Sequence, residues 1–398
     1  MSLPEAKIEL LIRKPGPEGG GFSIREIPSG QVYAGYMPRR IDESSYEVAR
    51  EKSPVDGRVN YVLKAEGLVK YLYLNEREHF LWSMMDGTRT IRDIATAYFV
   101  RFGGLDFETI KGLLSRLREA GLVEFVPASR LRVALDRSKR PWAKKLKGLL
   151  SRIDYRIDDA DGWVTRLYDG GGYLFVNRYA MAAYILLSVL GIVTFGRFES
   201  MGRFPYHLLA EHPVGVLLAL AGSFYPVAAI HELAHALACK RSGRKVHGFG
   251  FTLWDGFYPS FYTDVSDMYM APRRQRVFVS LAGPLSTTAI AALFFIPVLV
   301  HPAAAWAEPF YQMGRLSLLA GFISLFPFQF LKMDGYYLLV DLLGFPGLRE
   351  RSFAFVSGLP SYFRSGKPFT RTEFIMSAYF LLSLLSLIGF LAYFFSVA

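Results

Sequence analysis

The sequence predicts a mainly α-helical, polytopic membrane bundle of about five spans, with a small N-terminal α+β domain of winged-helix type. Three observations predict it. All the long apolar runs come after Tyr179. Lysine and arginine crowd alternate connections between those runs and are sparse in the others. Between Val59 and Val126, two strand-like stretches precede three helical patterns, each with its own start signal. The 398 residues suffice for two domains. They divide into an arm or strands over 1–58, the winged-helix-like domain over 59–128, a basic linker over 129–178 and the membrane domain over 179–398.

Residues 1–58 mix short apolar runs with Gly and Pro, at Pro15 to Gly21 and Pro54 to Gly57. From Val59 to Leu74, VNYVLKAEGLVKYLYL reads as two short strands turning at Glu66-Gly67. Asn75 is placed to cap a helix over Glu76–Met85, and Thr88 or Thr90 to start one over Ile91–Phe102 after the turn Asp86-Gly87. Asp106 is placed to cap a third over Phe107–Ala120, which Gly121 stops; LVEFV then reads as a closing strand. The third helix carries Lys111, Arg116 and Arg118 but also Glu108 and Glu119. That is a poor phosphate-facing stripe, so nucleic acid is not the expected partner.

Net charge is +11, with a dense basic set between Arg137 and Arg156 that includes Lys139, Arg140, Lys144, Lys145 and Lys147. Beside an apolar span, these read as cations facing the cytoplasmic leaflet. The expected spans are Tyr179–Phe195, Pro213–Cys239, Val277–Val300, Met313–Phe330 and Thr372–Val397. Between Lys240 and Arg276 lie Lys240, Arg241, Arg244, Lys245, Arg273, Arg274 and Arg276. Arg349 to Arg371 adds Arg349, Arg351, Arg364, Lys367 and Arg371, whereas His301 to Gln312 holds neither lysine nor arginine. This alternation predicts a cytoplasmic N-terminus, an exterior C-terminus and residence in an inner or plasma membrane. Tyr336–Gly344 is too short to cross and is expected to continue or cap the fourth helix. No signal peptide is read at the start, and the single cysteine, Cys239, excludes an intrachain disulfide.

The chemistry-bearing motif is His231-Glu232-Leu233-Ala234-His235, inside the run Val214–Ala238. Histidines four apart share one helix face and can grip a zinc ion, with Glu232 between them as general base. A glutamate at membrane depth costs about 3 kcal/mol, so it marks function there. Asp334, in Lys332-Met333-Asp334-Gly335 after another apolar segment, is a suitable third ligand. Gly335 is expected to permit a sharp turn beside it. A His2Asp set leaves a fourth position for water, and zinc lowers the pKa of bound water towards ~7. Asp264 and Asp267 are expected to cap a turn or pair with Arg273 and Arg274. The aromatics Trp254, Phe257, Tyr258, Phe261 and Tyr262 suggest an interfacial or re-entrant segment.

HELAHALACKRSGRKV, LAGPLS at Leu281–Ser286 and MDGYYLLVDLLGFPGLRERS at Met333–Ser352 together resemble the site-2 protease family of intramembrane zinc metalloproteases. The branch most similar is the bacterial peptide zinc metalloproteases. YPSFYTDVSD, Tyr258–Asp267, is like that branch's connection between motif spans. The resemblance implies one zinc ion on His231, His235 and Asp334, Glu232 as catalyst, and a helix irregularity at Gly283-Pro284 near the site. The family carries Asn-Pro shortly before its Asp-Gly, to hold substrate backbone. Here Phe328-Gln329 occupies that register, and Gln329 is the amide available to substitute. Separately, LNEREHFLWSMMDGTRTIRDIATAYFVRFG is similar to PqqD-like domains, which capture extended peptides in ribosomal-peptide modification systems. By that similarity the strand Val69–Leu74 and the third helix, with Phe107 and Leu114, would bound a peptide groove.

The expected function is therefore hydrolysis of membrane-associated or transmembrane peptides by a zinc endopeptidase whose cytoplasmic domain recruits substrate or partner. The alternative is a non-proteolytic membrane subunit of a peptide-maturation or export assembly. Membrane lipid is an expected partner under both.

Overall fold

The structure, a computed structural model, describes residues 7–13, 22–28, 35–68, 70–104, 107–124, 154–157, 159–202, 213–254, 258–328, 332–364 and 368–397. The part of the basic linker 129–178 that precedes residue 154 lies outside the described residues. The chain divides into two compact units, one of residues 1–50 and 58–139, the other of residues 51–57 and 140–398.

In the first unit, β1 (Lys7–Arg13) and β2 (Phe22–Pro28) pair antiparallel. A second sheet has the order β3 (Tyr46–Lys52), β4 (Val59–Ala65), β5 (Tyr71–Asn75), so a strand from the stretch read as an arm or strands joins the two expected ones. Helices α1 (Glu76–Ser83), α2 (Ile91–Phe102) and α3 (Phe107–Glu119) follow. Two of them start on reciprocal caps. The Asn75 side chain accepts from Glu78 N–H and Glu78 accepts from Asn75 N–H, both at 2.9 Å. Thr90 and Asp93 repeat the arrangement, which satisfies amides that have no partner inside the helix. Leu63, Leu74, Leu81, Trp82, Ile94, Leu113 and Leu117 fill the core below. Of the LVEFV segment, Val123 makes an isolated bridge to Arg40, and Phe125 and Val126 lie outside the described residues.

The second unit is helical. It comprises β6 (Asp154–Arg156), α4 (Ala160–Asp169), α5 (Arg178–Ser200), α6 (Pro213–Arg241), β7 (Gly248–Trp254), β8 (Tyr258–Asp264), α7 (Arg273–Val300), α8 (Ala307–Leu325), α9 (Asp334–Leu343), α10 (Leu348–Ser357), α11 (Leu359–Arg364) and α12 (Arg371–Val397). Among the described residues three helices are long and apolar enough to cross a membrane: α5, α7 and the stretch Arg371–Gly389 of α12. That is fewer than the five expected. The span placed at Met313–Phe330 fails because α8 ends at Leu325 and carries Glu308, Gln312 and Arg315. The span placed at Pro213–Cys239 lies within helix α6; the side chains of 215–220 lie outside the described residues, and within 221–239 the polar His231, Glu232 and His235 lower its apolar character. Tyr336–Gly344 does not prolong α8 either; it belongs to the separate helix α9.

Helix α7 is the centre of this unit. In its apolar stretch 56% is buried, against 22% in α5 and 17% in α12. Ser188 of α5 and Thr288 of α7 share a hydrogen bond of 2.6 Å across the helix interface. Tyr311 and Phe295 pack with Phe198 at one end of α7. At the other end, the short segment 51–57 is tied in by charge. Glu51 bridges Arg273 at 2.7 Å and Arg276 at 2.6 Å, and Arg276 also meets Asp341 of α9 at 2.6 Å. Val55 packs beside Tyr336 and Phe345. The start of α7 and the helix that begins with Asp334 are thereby held in one network.

Candidate metal centre

His231 and His235 lie on one face of α6, as their spacing requires. Asp334 is the first residue of α9. Packing against α7 brings them together: one ligand atom from each of His231, His235 and Asp334 lies within 4.8 Å of the others. The Asp334 carboxylate is 3.0 Å from His231 Nε2 and 3.2 Å from His235 Nε2, and the two Nε2 atoms are 3.2 Å apart. Lys332, the residue that would compete for Asp334, instead pairs with Glu350 at 2.6 Å.

The outward faces of the rings are occupied. His235 Nδ1 lies 2.7 Å from the Val279 carbonyl oxygen and His231 Nδ1 lies 2.9 Å from Thr287 Oγ1. A carbonyl only accepts, so His235 carries a proton on Nδ1, and Nε2 is the ring nitrogen that faces the cluster. Ser324 of α8 donates to the Asp334 carboxylate, at the oxygen that also faces His231. Two imidazole nitrogens and a carboxylate oxygen that converge in this way form a donor set that fits a divalent ion such as zinc.

Glycine permits the approach twice. A Cβ on Gly283 of α7 would lie 2.7 Å from His231 Nε2 and clash with His235 Nε2, so only a bare backbone seats both rings. A Cβ on Gly335 would strike the Leu325 carbonyl and lie 2.9 Å from the Phe326 carbonyl carbon. Gly335 is outside the left-handed region, so close packing against the end of α8, and not the sharp turn expected of it, explains the residue. Pro284 is buried within α7 next to Gly283. Neither Thr287 nor Val279 is singled out by sequence. A threonine four residues after Gly283 carries no signal of its own until α6 is known to face α7.

A cavity of about 620 Å³ opens on the centre, lined by His231, Glu232, His235, Thr263, Asp334 and Tyr337 among others. β8 runs along it, and Thr263 Oγ1 donates to the Glu232 backbone carbonyl at 2.9 Å. The segment read as interfacial or re-entrant is thus the β7–β8 hairpin, with 255–257, Phe257 included, outside the described residues. Asp264 accepts from the Ser266 amide and caps a turn. Asp267 pairs with Arg244 at 2.8 Å, not with Arg273 or Arg274. Cys239 is buried and directed at the Lys245 carbonyl, away from the cluster.

The C-terminal end of α6 is anchored outside the apolar region. Asp161 of α4 accepts from Lys240 Nζ at 2.7 Å and from the Val246 amide at 2.8 Å. Burial raises the Asp161 pKa, but the Lys240 ammonium and the Val246 amide outweigh it and hold the carboxyl below its ordinary value.

Of the residues read as binding peptide, Val69 and Gln329 lie outside the described residues, and so does the side chain of Phe107. Leu74 and Leu114 are buried in the core of the first unit, so they pack the domain and do not line a groove. Compared with known proteins, the chain matches no family model, no curated protein and no solved structure.

Proposed function

We propose that the protein is an intramembrane zinc endopeptidase of the site-2 protease type, cleaving membrane-associated or transmembrane peptides. The observation that carries this reading is the convergence of His231, His235 and Asp334 beside Glu232 on a cavity within a unit that holds three membrane-length helices. Zinc, when bound, supplies a Lewis acid and an activated water at neutral pH. The chain's own residues do the rest. His231, His235 and Asp334 would hold the ion. Glu232, one residue from a ligand and on the cavity wall, would take a proton from the attacking water and return it to the leaving amine. A helical substrate has its carbonyls already hydrogen-bonded, so it must unwind locally before its scissile bond can enter.

Loop charge supports a cytoplasmic first unit and an exterior C-terminus. In the first unit, β5 is an edge of its three-stranded sheet, and an extended peptide can add to such an edge; recruitment of substrate or partner is its proposed role.

The test is zinc content and cleavage of transmembrane peptides by the purified wild type and Glu232→Gln. Both should carry about one zinc per chain, and cleavage by the variant should fall by about 10²–10⁴-fold. Equal cleavage by the two would sink the mechanism. Wild type that holds zinc but cuts no peptide would transfer the assignment to a non-proteolytic subunit of a peptide-maturation or export assembly.

A further inference from the structure

We infer that Thr287 is a positioning residue that fixes the tautomer of His231, so that both histidines present Nε2 to the metal; the inference rests on the metal-site reading above. Thr287 Oγ1 has two neighbours. One is His231 Nδ1 at 2.9 Å, and the other is the Gly283 carbonyl oxygen, one helical turn back, at 3.2 Å. A hydroxyl has one proton to give, and a carbonyl can only accept. The inferred arrangement directs the Thr287 proton to the Gly283 carbonyl, which also accepts from Ser286 Oγ at 2.7 Å, as threonines in helices commonly direct it, and leaves Oγ1 to accept from His231 Nδ1–H. Were the direction reversed, His231 would carry its proton on Nε2, pointing at Asp334 and at His235 Nε2, and could not ligate.

Helix α7 thus treats the two rings alike with one stripe of positions four residues apart. Val279 receives the Nδ1–H of His235, Gly283 leaves room for both rings, and Thr287 receives the Nδ1–H of His231. Val279 acts through its backbone, which side-chain substitution leaves in place. Thr287 acts through its hydroxyl, and the residue is 3% exposed, so bulk water has little access to replace it. Such partners around a ligating histidine are worth about 10–100-fold in metal affinity.

The test compares wild type, Thr287→Val and Thr287→Ser in the full chain in detergent. Zinc affinity is read by competition with a chromogenic chelator. Histidine ¹⁵N spectra of the metal-free protein, recorded with the rings neutral, report the tautomers. Thr287→Val keeps the shape and removes the acceptor: zinc should bind about 10–100-fold more weakly, and His231 should lose its pure Nδ1–H signature. Thr287→Ser should keep the spectrum and stay within about threefold of wild-type affinity. Wild-type affinity and an unchanged His231 spectrum in Thr287→Val would overturn the inference while leaving the metal site standing. If wild type takes up no zinc, the metal reading fails first, and the inference falls with it as a statement about ligation. The metal-free spectra still decide whether Thr287 holds the ring.

Discussion

Gly283→Ala puts the sharpest demand on the described centre, because one methyl group must find space between two ligands. The added carbon would lie 2.7 Å from His231 Nε2 and nearer still to His235 Nε2. Ordinary contacts of this kind are about 3.5–4.0 Å, so rings or backbone must shift by about 0.8 Å or more. Metal–ligand distances tolerate about 0.2 Å, which makes the required shift several times the tolerance. Removing a group that merely orients a ligand costs about 10–100-fold in affinity, and displacing the ligands should cost at least the upper figure. Helix propensity acts in the opposite direction, since Gly→Ala inside a helix is favourable by roughly 0.5–1 kcal/mol. A loss of zinc therefore cannot be charged to a weakened α7. The assay is zinc content after equilibration against buffered free zinc. Gly196→Ala, where an added Cβ meets nothing within 4 Å, serves as the control and should bind as wild type does. Full zinc occupancy with unchanged affinity in Gly283→Ala would refute the placement of α7 against the histidines.

Two further outcomes follow from the anchors around the two cores. The Asp161 pKa is held below its unfolded value by Lys240 and the Val246 amide, so its contribution to stability is present above about pH 4 and is lost as pH falls through the folded value. Thermal unfolding in detergent between pH 6 and about pH 3 should show this decline, with a flatter profile in Asp161→Asn; parallel profiles would remove the linkage. In the first unit, Asn75→Ala deletes the cap of α1 at a cost of about 1 kcal/mol. Amide exchange within Glu76–Ser83 should quicken about fivefold if that helix opens locally, and unchanged exchange would show that the cap contributes nothing there.

How much was legible varied with the range of the forces involved. The strands either side of Glu66-Gly67 and the helix over Ile91–Phe102 were readable because alternation, caps and terminating glycines act within a few residues. The His-Glu-His face was readable for the same reason. Crossing a bilayer is less local. Residues 313–330 read as a span by apolar character, yet the chain leaves the helix at Leu325 so that Asp334 can start a new one. Leu74 and Leu114 also misled: apolar residues beside a proposed groove fit a core equally well, and only burial separates the two.

By itself the sequence determined a membrane-length set of apolar helices, the capped helices of the first unit, and three residues with the donor chemistry for a metal. Those depend on composition and on spacings of two to four residues, which backbone geometry translates directly. Tertiary structure decided that Asp334 reaches His231 from 103 positions away and that Gly335 serves contact where a turn was expected. It also decided that Val279, Gly283 and Thr287 form the wall behind the imidazoles. The reason is physical: ligands must converge to within a few tenths of an ångström, and that precision comes from helices packed side by side, which no periodicity along one of them records.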